Sequence, residues 1–126
     1  MKQENNKEFN AAYELINENL IKNPNKIAFI DDDQTINYLT LSKKVKSFSK
    51  QIFNLGLKEK DRVIICMFDC INFPITFLGS IWSNIIPICI NTMLPKKDLE
   101  YMLRDSQAKA VICSKDLANI FIEIQN

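Results

Sequence analysis

Residues 62–92 contain the pattern that most limits the folds open to this chain: two short apolar runs with a longer apolar segment between them. Residues 62–67 are rich in β-branched side chains and do not alternate, which predicts a strand buried on both faces. Residues 73–82 are apolar on nearly every side, which predicts a helix enclosed within a larger protein. Residues 88–90 predict a second buried strand. Together they predict a βαβ crossover with parallel strands.

Elements on both sides of this unit extend it to an open α/β fold. A first helix is predicted to end at Asn23, and residues 27–38 predict a β-hairpin with its turn at 31–34. A long amphipathic helix follows, with Asn37 as its N-cap and Gly56 as the left-handed residue after its C-terminus. Two further helices flank a buried strand at 110–113. The side chains predicted to face inward are Phe9, Ala12, Tyr13, Ile16, Leu20, Leu41, Val45, Phe48, Ile52, Leu55, Leu99, Met102, Leu103, Leu117, Ile120, Phe121 and Ile124.

Gly56 and Gly79 are the only glycines, and there is no histidine. Dinucleotide-binding and Walker loops need several glycines close together, so that backbone N–H groups can surround phosphate. Neither loop is therefore present in this sequence. The lack of histidine excludes Ser-His-Asp and Cys-His catalysis and histidine metal sites. Inside a helix Gly79 costs about 1 kcal/mol relative to alanine, which predicts that the helix packs closely on the sheet there.

The four cysteines, Cys66, Cys70, Cys89 and Cys113, lack the paired CxxC spacing of zinc sites. Three of them lie in apolar strand-like runs, which predicts buried, reduced thiols and a reducing compartment. The polar start of the chain does not resemble a signal peptide, and the apolar segment in the middle is interrupted before it reaches the length of a membrane span. These features predict a cytoplasmic protein without a membrane span. A net charge of +1 gives no reason to expect nucleic acid as a partner.

Polar residues follow the predicted parallel strands, where open α/β sheets bind ligands. Asp69, Asn91, Thr92, Ser114 and Lys115 lie at these positions, and Ser114 is also predicted to cap the last helix. No catalytic, cofactor-binding or metal-binding residue can be assigned among them.

One hypothesis for this edge is a phospho-receiver module. Asp31 and Asp32 would hold magnesium, Asp69 would accept the phosphoryl group, and Thr92 and Lys115 would complete the set. The connectivity argues against this hypothesis, because residues 35–38 return at once as a hairpin arm, whereas a receiver needs a helix, a strand and another helix before the acceptor. The simpler interpretation of Asp31 and its two neighbours is a solvated turn.

Seven short segments keep one order and spacing along nearly the whole chain, at residues 9–12, 26–31, 55–57, 61–63, 77–79, 87–94 and 101–108. The most specific are Asn-Thr-Met-Leu at 91–94 and Tyr-Met-Leu-Arg-Asp-Ser at 101–106. Through these segments the sequence resembles the N-terminal part of AMP-forming acyl-CoA ligases in the adenylate-forming superfamily, and most of all their benzoate–CoA ligase branch. Asn37 stands where that family usually has threonine, and Asn84 replaces its usual glycine, so the helix before the second strand has to end with asparagine.

The resemblance implies a single segment, residues 1–126, that forms the N-terminal subdomain of a larger, truncated ligase domain. It implies a reaction in which a carboxylate attacks Mg-ATP to give acyl-AMP and pyrophosphate, after which coenzyme A displaces AMP. ATP, magnesium and coenzyme A would be bound by the full-length enzyme, whose partners are the remainder of the ligase chain and a small carboxylic acid, benzoate or a related aromatic acid. None of the family's catalytic motifs falls in these residues, so the segment is expected to be inactive alone. A stand-alone interaction domain is the third hypothesis.

Overall fold

The computed structural model describes residues 8–126 as five α-helices, five β-strands and one short 3₁₀ helix. In chain order they are α1 (Ala11–Lys22), β1 (Ile27–Ile30), β2 (Thr35–Asn37), α2 (Tyr38–Asn54), β3 (Arg62–Cys66), α3 (Asn72–Trp82), β4 (Ile86–Cys89), α4 (Lys96–Ser106), β5 (Ala110–Cys113), the 3₁₀ turn (Lys115–Leu117) and α5 (Ala118–Gln125).

The strands form two separate sheets. β1 and β2 make an antiparallel hairpin, whereas β4, β3 and β5 form a parallel sheet with β3 in the centre. In that sheet Val63 of β3 lies opposite Pro87 of β4 and Ala110 of β5. The α/β fold with a hairpin and a parallel β-α-β-α-β unit is therefore confirmed.

β3 is buried on both faces, as its unbroken apolar run predicts. Val63 packs on one face with Ile52 of α2 and with Leu57. Ile64 packs on the other face with Leu99 of α4 and with residues of the last helix, including Phe121. Helices therefore cover this sheet on both sides, as is usual for parallel sheets.

The outer strands β4 and β5 are less buried than predicted. Ile86 and Cys89 at the two ends of β4 are exposed, and every residue of β5 is only half-buried. The sequence runs resemble that of β3, but each outer strand has a neighbour on one side only. The prediction that Cys89 is buried is therefore wrong.

A second apolar core lies between α1, the hairpin, α2 and α3. Ile16 of α1, Ile36 of β2, Leu41 and Val45 of α2 and Ile75 of α3 are all buried in it. Here α3 does not lie alone against the sheet but also packs along α2, which explains why it is apolar on nearly every side.

Backbone conformations at the helix ends follow the sequence closely. The Asn37 side chain accepts a hydrogen bond from the Thr40 N–H at 2.9 Å, and Gly56 has a φ of 91°, as the capping prediction requires. Asn84, which follows α3, has a φ of 56°, so this asparagine adopts the left-handed conformation that a glycine would adopt most easily. Ser114 does not cap the last helix through its side chain; its Oγ accepts from the Phe68 N–H instead.

Gly79 allows a close approach, but its neighbour is a helix and not the sheet. A Cβ atom at Gly79 would lie 2.4 Å from Cδ1 of Phe48 in α2. The predicted contact with the sheet is wrong because the glycine side of α3 faces α2, whose aromatic ring occupies the space.

Three side chains predicted to face inward are exposed: Phe9 (79%), Leu55 (80%) and Met102 (38%). Phe9 precedes α1, and Leu55 is the residue that ends α2, so neither lies on the regular face from which its burial was predicted. In α4 only Leu99 is fully enclosed. Within residues 8–126, the helices lack the length and apolar character that crossing a bilayer demands.

Candidate functional site

The parallel sheet presents its carboxyl ends at one edge, where Asp69, Asn91, Thr92, Ser114 and Lys115 follow the strands. Two of these side chains are engaged by neighbouring backbone. The Ser114 Oγ accepts from the Phe68 N–H at 2.9 Å, and the Asn91 Oδ1 accepts from the Met93 N–H at 2.8 Å. These hydrogen bonds shape the two loops, so Ser114 and Asn91 have structural roles at this edge.

A cleft of about 600 Å³ lies between the hairpin and the start of α3; we call it the hairpin cleft. It contains three of the residues singled out in the sequence, Asp31, Asp32 and Asp69. Thr92 and Lys115, although described by the structure, are not part of its lining. The remaining lining residues are Phe29, Ile30, Cys70, Ile71, Phe73, Pro74, Phe77 and Leu78.

Asp31 joins the hairpin turn to the N-terminal end of α3. Its Oδ2 accepts from the backbone N–H of Ile71 at 2.8 Å, and its Oδ1 accepts from those of Asp33 and Gln34 at 2.9 and 2.8 Å. The hydrogen bond from Ile71 lowers the pKa of the Asp31 carboxyl below its ordinary value, because it stabilises the ionised form; the two bonds within the turn act in the same direction. Asp31 thus links the hairpin turn to the N-terminal end of α3 by hydrogen bonds.

The geometry contradicts the phospho-receiver hypothesis. Asp31 and Asp32 lie in the turn of an antiparallel hairpin, in a different sheet from β3, and not at the end of a neighbouring parallel strand. Among residues 8–126 no three histidine, cysteine or acidic side chains are placed to hold a metal ion together. Both carboxylate oxygens of Asp31 also accept hydrogen bonds from backbone N–H groups.

The cysteines differ in their surroundings. Cys66 is buried and Cys89 is exposed, while Cys70 and Cys113 are intermediate, and all four are free thiols. Burial raises the pKa of the Cys66 thiol, and the neighbouring Cys113 raises it further. Because the thiolate is the reactive form of cysteine, Cys66 is poorly suited to act as a nucleophile or metal ligand.

Asn10 is a connecting residue that the sequence analysis missed. Its Oδ1 accepts from the Tyr13 N–H at 3.0 Å and caps α1, while its Nδ2 donates to the Ile81 carbonyl at 2.7 Å and to the Asn84 Oδ1 at 3.0 Å. An asparagine before a helix is a recognisable capping signal, but nothing local in the sequence indicates the contact with α3.

Asp31→Ala is expected to loosen the hairpin from α3 without unfolding the sheet. Because the pKa of Asp31 is lowered in the folded chain, its contribution to stability is present above the ordinary aspartate pKa and is lost as the pH falls through the lowered value. In the native chain the Ile71 amide should therefore be less protected under acid conditions, relative to its intrinsic exchange rate at the same pH, and in the variant it should be less protected at neutral pH too. Amide hydrogen exchange followed by NMR measures this.

Asp32→Ala is the matched control, since it removes the next carboxylate in the same turn. It should leave Ile71 exchange as in the native chain. Equal protection of the Ile71 amide against exchange in the Asp31→Ala variant and the native chain would show that Asp31 does not link the hairpin to α3.

Comparison with known proteins matches this architecture to one family. The family model described as AMP-binding enzyme matches residues 16–125. The benzoate–CoA ligase of Thauera aromatica is 42% identical over 115 residues, which are 90% of this chain and 22% of that protein. The 4-hydroxybenzoate–CoA/benzoate–CoA ligase of Rhodopseudomonas palustris is 30% identical over 118 residues, 93% of this chain and 22% of that protein.

The same likeness extends to the fold. The crystal structure of a benzoate CoA ligase from Burkholderia xenovorans superposes with a TM-score of 0.89 and 31% identity, over 94% of this chain and 24% of that one. The chain spans about a fifth of the length of the curated relatives that it matches, 22% in both ligases above. These comparisons give no support to a receiver or to a stand-alone interaction domain. The sequence, the parallel sheet with its hairpin and the match over residues 16–125 together establish that this chain belongs to the AMP-binding enzyme family.

Proposed function

We propose that this chain is the N-terminal subdomain of a larger AMP-binding domain in an acid–CoA ligase, and that it has no catalytic activity alone. The observation that carries the proposal is the 42% identity to a benzoate–CoA ligase over 90% of this chain. Two relatives that act on benzoate, from different organisms, match over similar stretches. Benzoate or a related aromatic acid is therefore the substrate that we propose for the whole enzyme.

The proposed reaction has two steps. A carboxylate oxygen attacks the α-phosphorus of ATP, so that a P–O bond to pyrophosphate breaks and an acyl-adenylate forms. The sulfur of coenzyme A then attacks the acyl carbon; AMP leaves and the thiol proton passes to solvent. Magnesium would neutralise the phosphate charge of ATP in the first step. We propose that ATP, magnesium and coenzyme A bind to other parts of the enzyme.

The residues of this chain support a scaffolding role in that reaction. Gly56 and Gly79 are too far apart to build a phosphate-binding loop, and no histidine is present to act as a base. At the carboxyl ends of the parallel strands, the Asn91 and Ser114 side chains accept hydrogen bonds from loop N–H groups. In the hairpin cleft the Asp31 carboxylate does the same. Such residues keep loops in place around an active site whose reacting groups come from elsewhere. A cytoplasmic location, where ATP and coenzyme A are available, is part of the proposal.

The proposal predicts that activity depends on parts of the ligase domain that lie outside this chain. The purified chain should catalyse no benzoate-dependent exchange of labelled pyrophosphate into ATP above a blank without enzyme. The chain should restore exchange when it is co-expressed with a benzoate–CoA ligase of Thauera aromatica that lacks the matching segment. The reason is that this chain replaces the deleted part of the domain. The matched control is a chain carrying Ile64→Asp, which places a charge in the core and should restore nothing.

Exchange by the chain alone would refute its lack of catalytic activity. Failure of the native chain to restore exchange, with both polypeptides soluble and folded, would refute its role as a ligase subdomain.

A further inference from the structure

The outward face of α2 carries charges of one sign. The helices α1 and α4 each mix acidic and basic residues, whereas α2 has lysines and neither an acidic residue nor an arginine. Three of its lysines, Lys43, Lys46 and Lys50, are exposed. Within residues 8–126, none of the three forms an ion pair with an acidic side chain. Their positive charges are therefore available to an anionic partner.

The three lysines form one strip with two apolar side chains. Leu39 lies four residues before Lys43, and Phe53 lies three residues after Lys50. Steps of three and four residues place all five side chains on one face of the helix. From end to end this face is about 21 Å long at the usual helical rise. Leu39 and Phe53 are each 41% exposed, at the two ends of what we call the α2 strip.

Packing on the opposite side of α2 fixes the direction of the strip. Leu41 and Val45 have no exposed surface and Ile52 has almost none, so the helix cannot rotate without exposing them. Lys46 is oriented as well, because its Nζ lies 5.7 Å from the centroid of the Trp82 ring in α3, a cation–π contact. The α2 strip is therefore a surface that is formed before any partner binds.

The composition of the α2 strip distinguishes between kinds of anionic partner. A partner helix would need apolar side chains in the middle of the strip to pack against, and the middle is occupied by lysines. Nucleic-acid phosphates favour arginine, which forms paired hydrogen bonds, and α2 has none. An anionic lipid surface requires only positive charge held near it, and exposed apolar side chains strengthen such binding by entering the headgroup region.

We propose that the α2 strip binds the surface of a membrane that contains anionic lipids. The helix lies parallel to the membrane plane, with the ammonium groups of Lys43, Lys46 and Lys50 at the lipid phosphates. Leu39 and Phe53 enter between the headgroups at the two ends of the strip. This inference goes beyond the proposed function and does not rest on it, because α2 contributes no residue to the hairpin cleft or to the carboxyl ends of the strands.

Sedimentation with lipid vesicles measures the binding of the whole chain. The chain should bind vesicles of phosphatidylcholine and phosphatidylglycerol, mixed in about a 2:1 ratio, at least about tenfold more tightly than vesicles of phosphatidylcholine alone. Raising the salt concentration should weaken this binding, because salt screens the attraction between the lysines and the lipid phosphates. Equal binding to the two kinds of vesicle, or binding to neither, would overturn the inference.

A double variant and a matched control locate the binding surface. Lys43→Gln combined with Lys50→Gln should weaken binding to the anionic vesicles at least about tenfold, because two of the three charges are removed. Glutamine is about as good a helix former as lysine, so α2 should stay folded. Lys97→Gln combined with Lys109→Gln removes the same charge from exposed positions outside α2 and should leave binding unchanged. Equal affinities of the two double variants would overturn the inference.

A last comparison separates a membrane from a soluble anionic partner. Phe53→Ser keeps every charge of the α2 strip but removes an apolar side chain, so binding to the anionic vesicles should weaken at least about threefold. A soluble polymer such as polyglutamate should bind the native chain more weakly than these vesicles do. Unchanged vesicle binding by the Phe53→Ser variant, or tighter binding of polyglutamate than of vesicles, would overturn the inference.

Discussion

Replacing Ile64 by alanine is expected to lower the free energy of unfolding by about 2–5 kcal/mol, the usual cost of deleting most of a fully buried isoleucine. Ile64 lies in the central strand β3 and has no exposed surface. It packs with Leu99, Leu117 and Phe121, which come from three different elements. A cavity at this position therefore weakens contacts of α4, the 3₁₀ turn and α5 together.

Urea unfolding followed by circular dichroism measures the effect. Domains of this size are commonly stable by only 5–15 kcal/mol, roughly, so the loss would move the midpoint by a large fraction of the total. Ile21→Ala is the matched control: it makes the same chemical change on α1 where the side chain is 76% exposed, and should cost less than about 0.5 kcal/mol. Equal effects of the two substitutions would contradict the central position of β3.

Gly79→Val is expected to destabilise the chain by about 1–3 kcal/mol, because α2 and α3 are too close to admit a side chain there. The added Cβ alone would lie 2.4 Å from Cδ1 of Phe48. Valine is a better helix former than glycine by only a few tenths of a kcal/mol, which does not offset the collision. The Phe48 ring has to turn away, or the two helices have to separate.

A double-mutant cycle identifies Phe48 as the cause. In a chain that already carries Phe48→Ala, the ring is gone, and Gly79→Val should cost less than about 0.5 kcal/mol. The coupling between the two positions should therefore exceed about 0.5 kcal/mol, as expected for residues in direct contact. Additive effects would show that Gly79 is required for some reason other than its contact with Phe48.

Local patterns were sufficient to predict the elements of the fold. β3 is predicted from residues 62–67, in which five apolar residues follow Arg62 without a polar interruption. Asn37 and Gly56 are predicted at the two ends of α2 from the chemistry of helix caps. In each case the determining interaction lies within a few residues along the chain. Burial of β3 on both faces follows from the same run, because a strand with one solvent-exposed face would alternate apolar and polar residues.

Contacts between elements distant in sequence could not be predicted in the same way. The sequences of β4 and β5 resemble that of β3, and only the strand order determines which of the three has a neighbouring strand on both sides. A glycine within α3 predicts that another element packs closely there, but the sequence does not identify Phe48 of α2 as the residue in contact. The hydrogen bond from the Ile71 N–H to Asp31 crosses 40 positions and depends on how the hairpin is placed against α3.

The sequence predicts where the polar residues that follow the strands lie, but not which groups their side chains contact. The polar residues after the strands were expected at one edge, because parallel strands share their carboxyl ends, and the topology bears this out. Asp31, Asp32 and Asp69 all line the hairpin cleft, but among residues 8–126 no three acidic side chains lie close enough together to hold a metal ion. The receiver hypothesis fails, as the predicted connectivity indicates, because Asp31 accepts hydrogen bonds from backbone N–H groups and lies in a different sheet from β3.

The most direct test of a scaffolding role is a chimera in which this chain replaces the matching segment of the Thauera aromatica ligase in a single polypeptide. The measurement is benzoate-dependent exchange of pyrophosphate into ATP, with a panel of other carboxylic acids alongside benzoate. If this chain supplies scaffold and no chemistry, the folded chimera will catalyse exchange and keep the acid preference of the Thauera enzyme. A folded chimera without exchange activity, or one with a changed acid preference, would contradict that role.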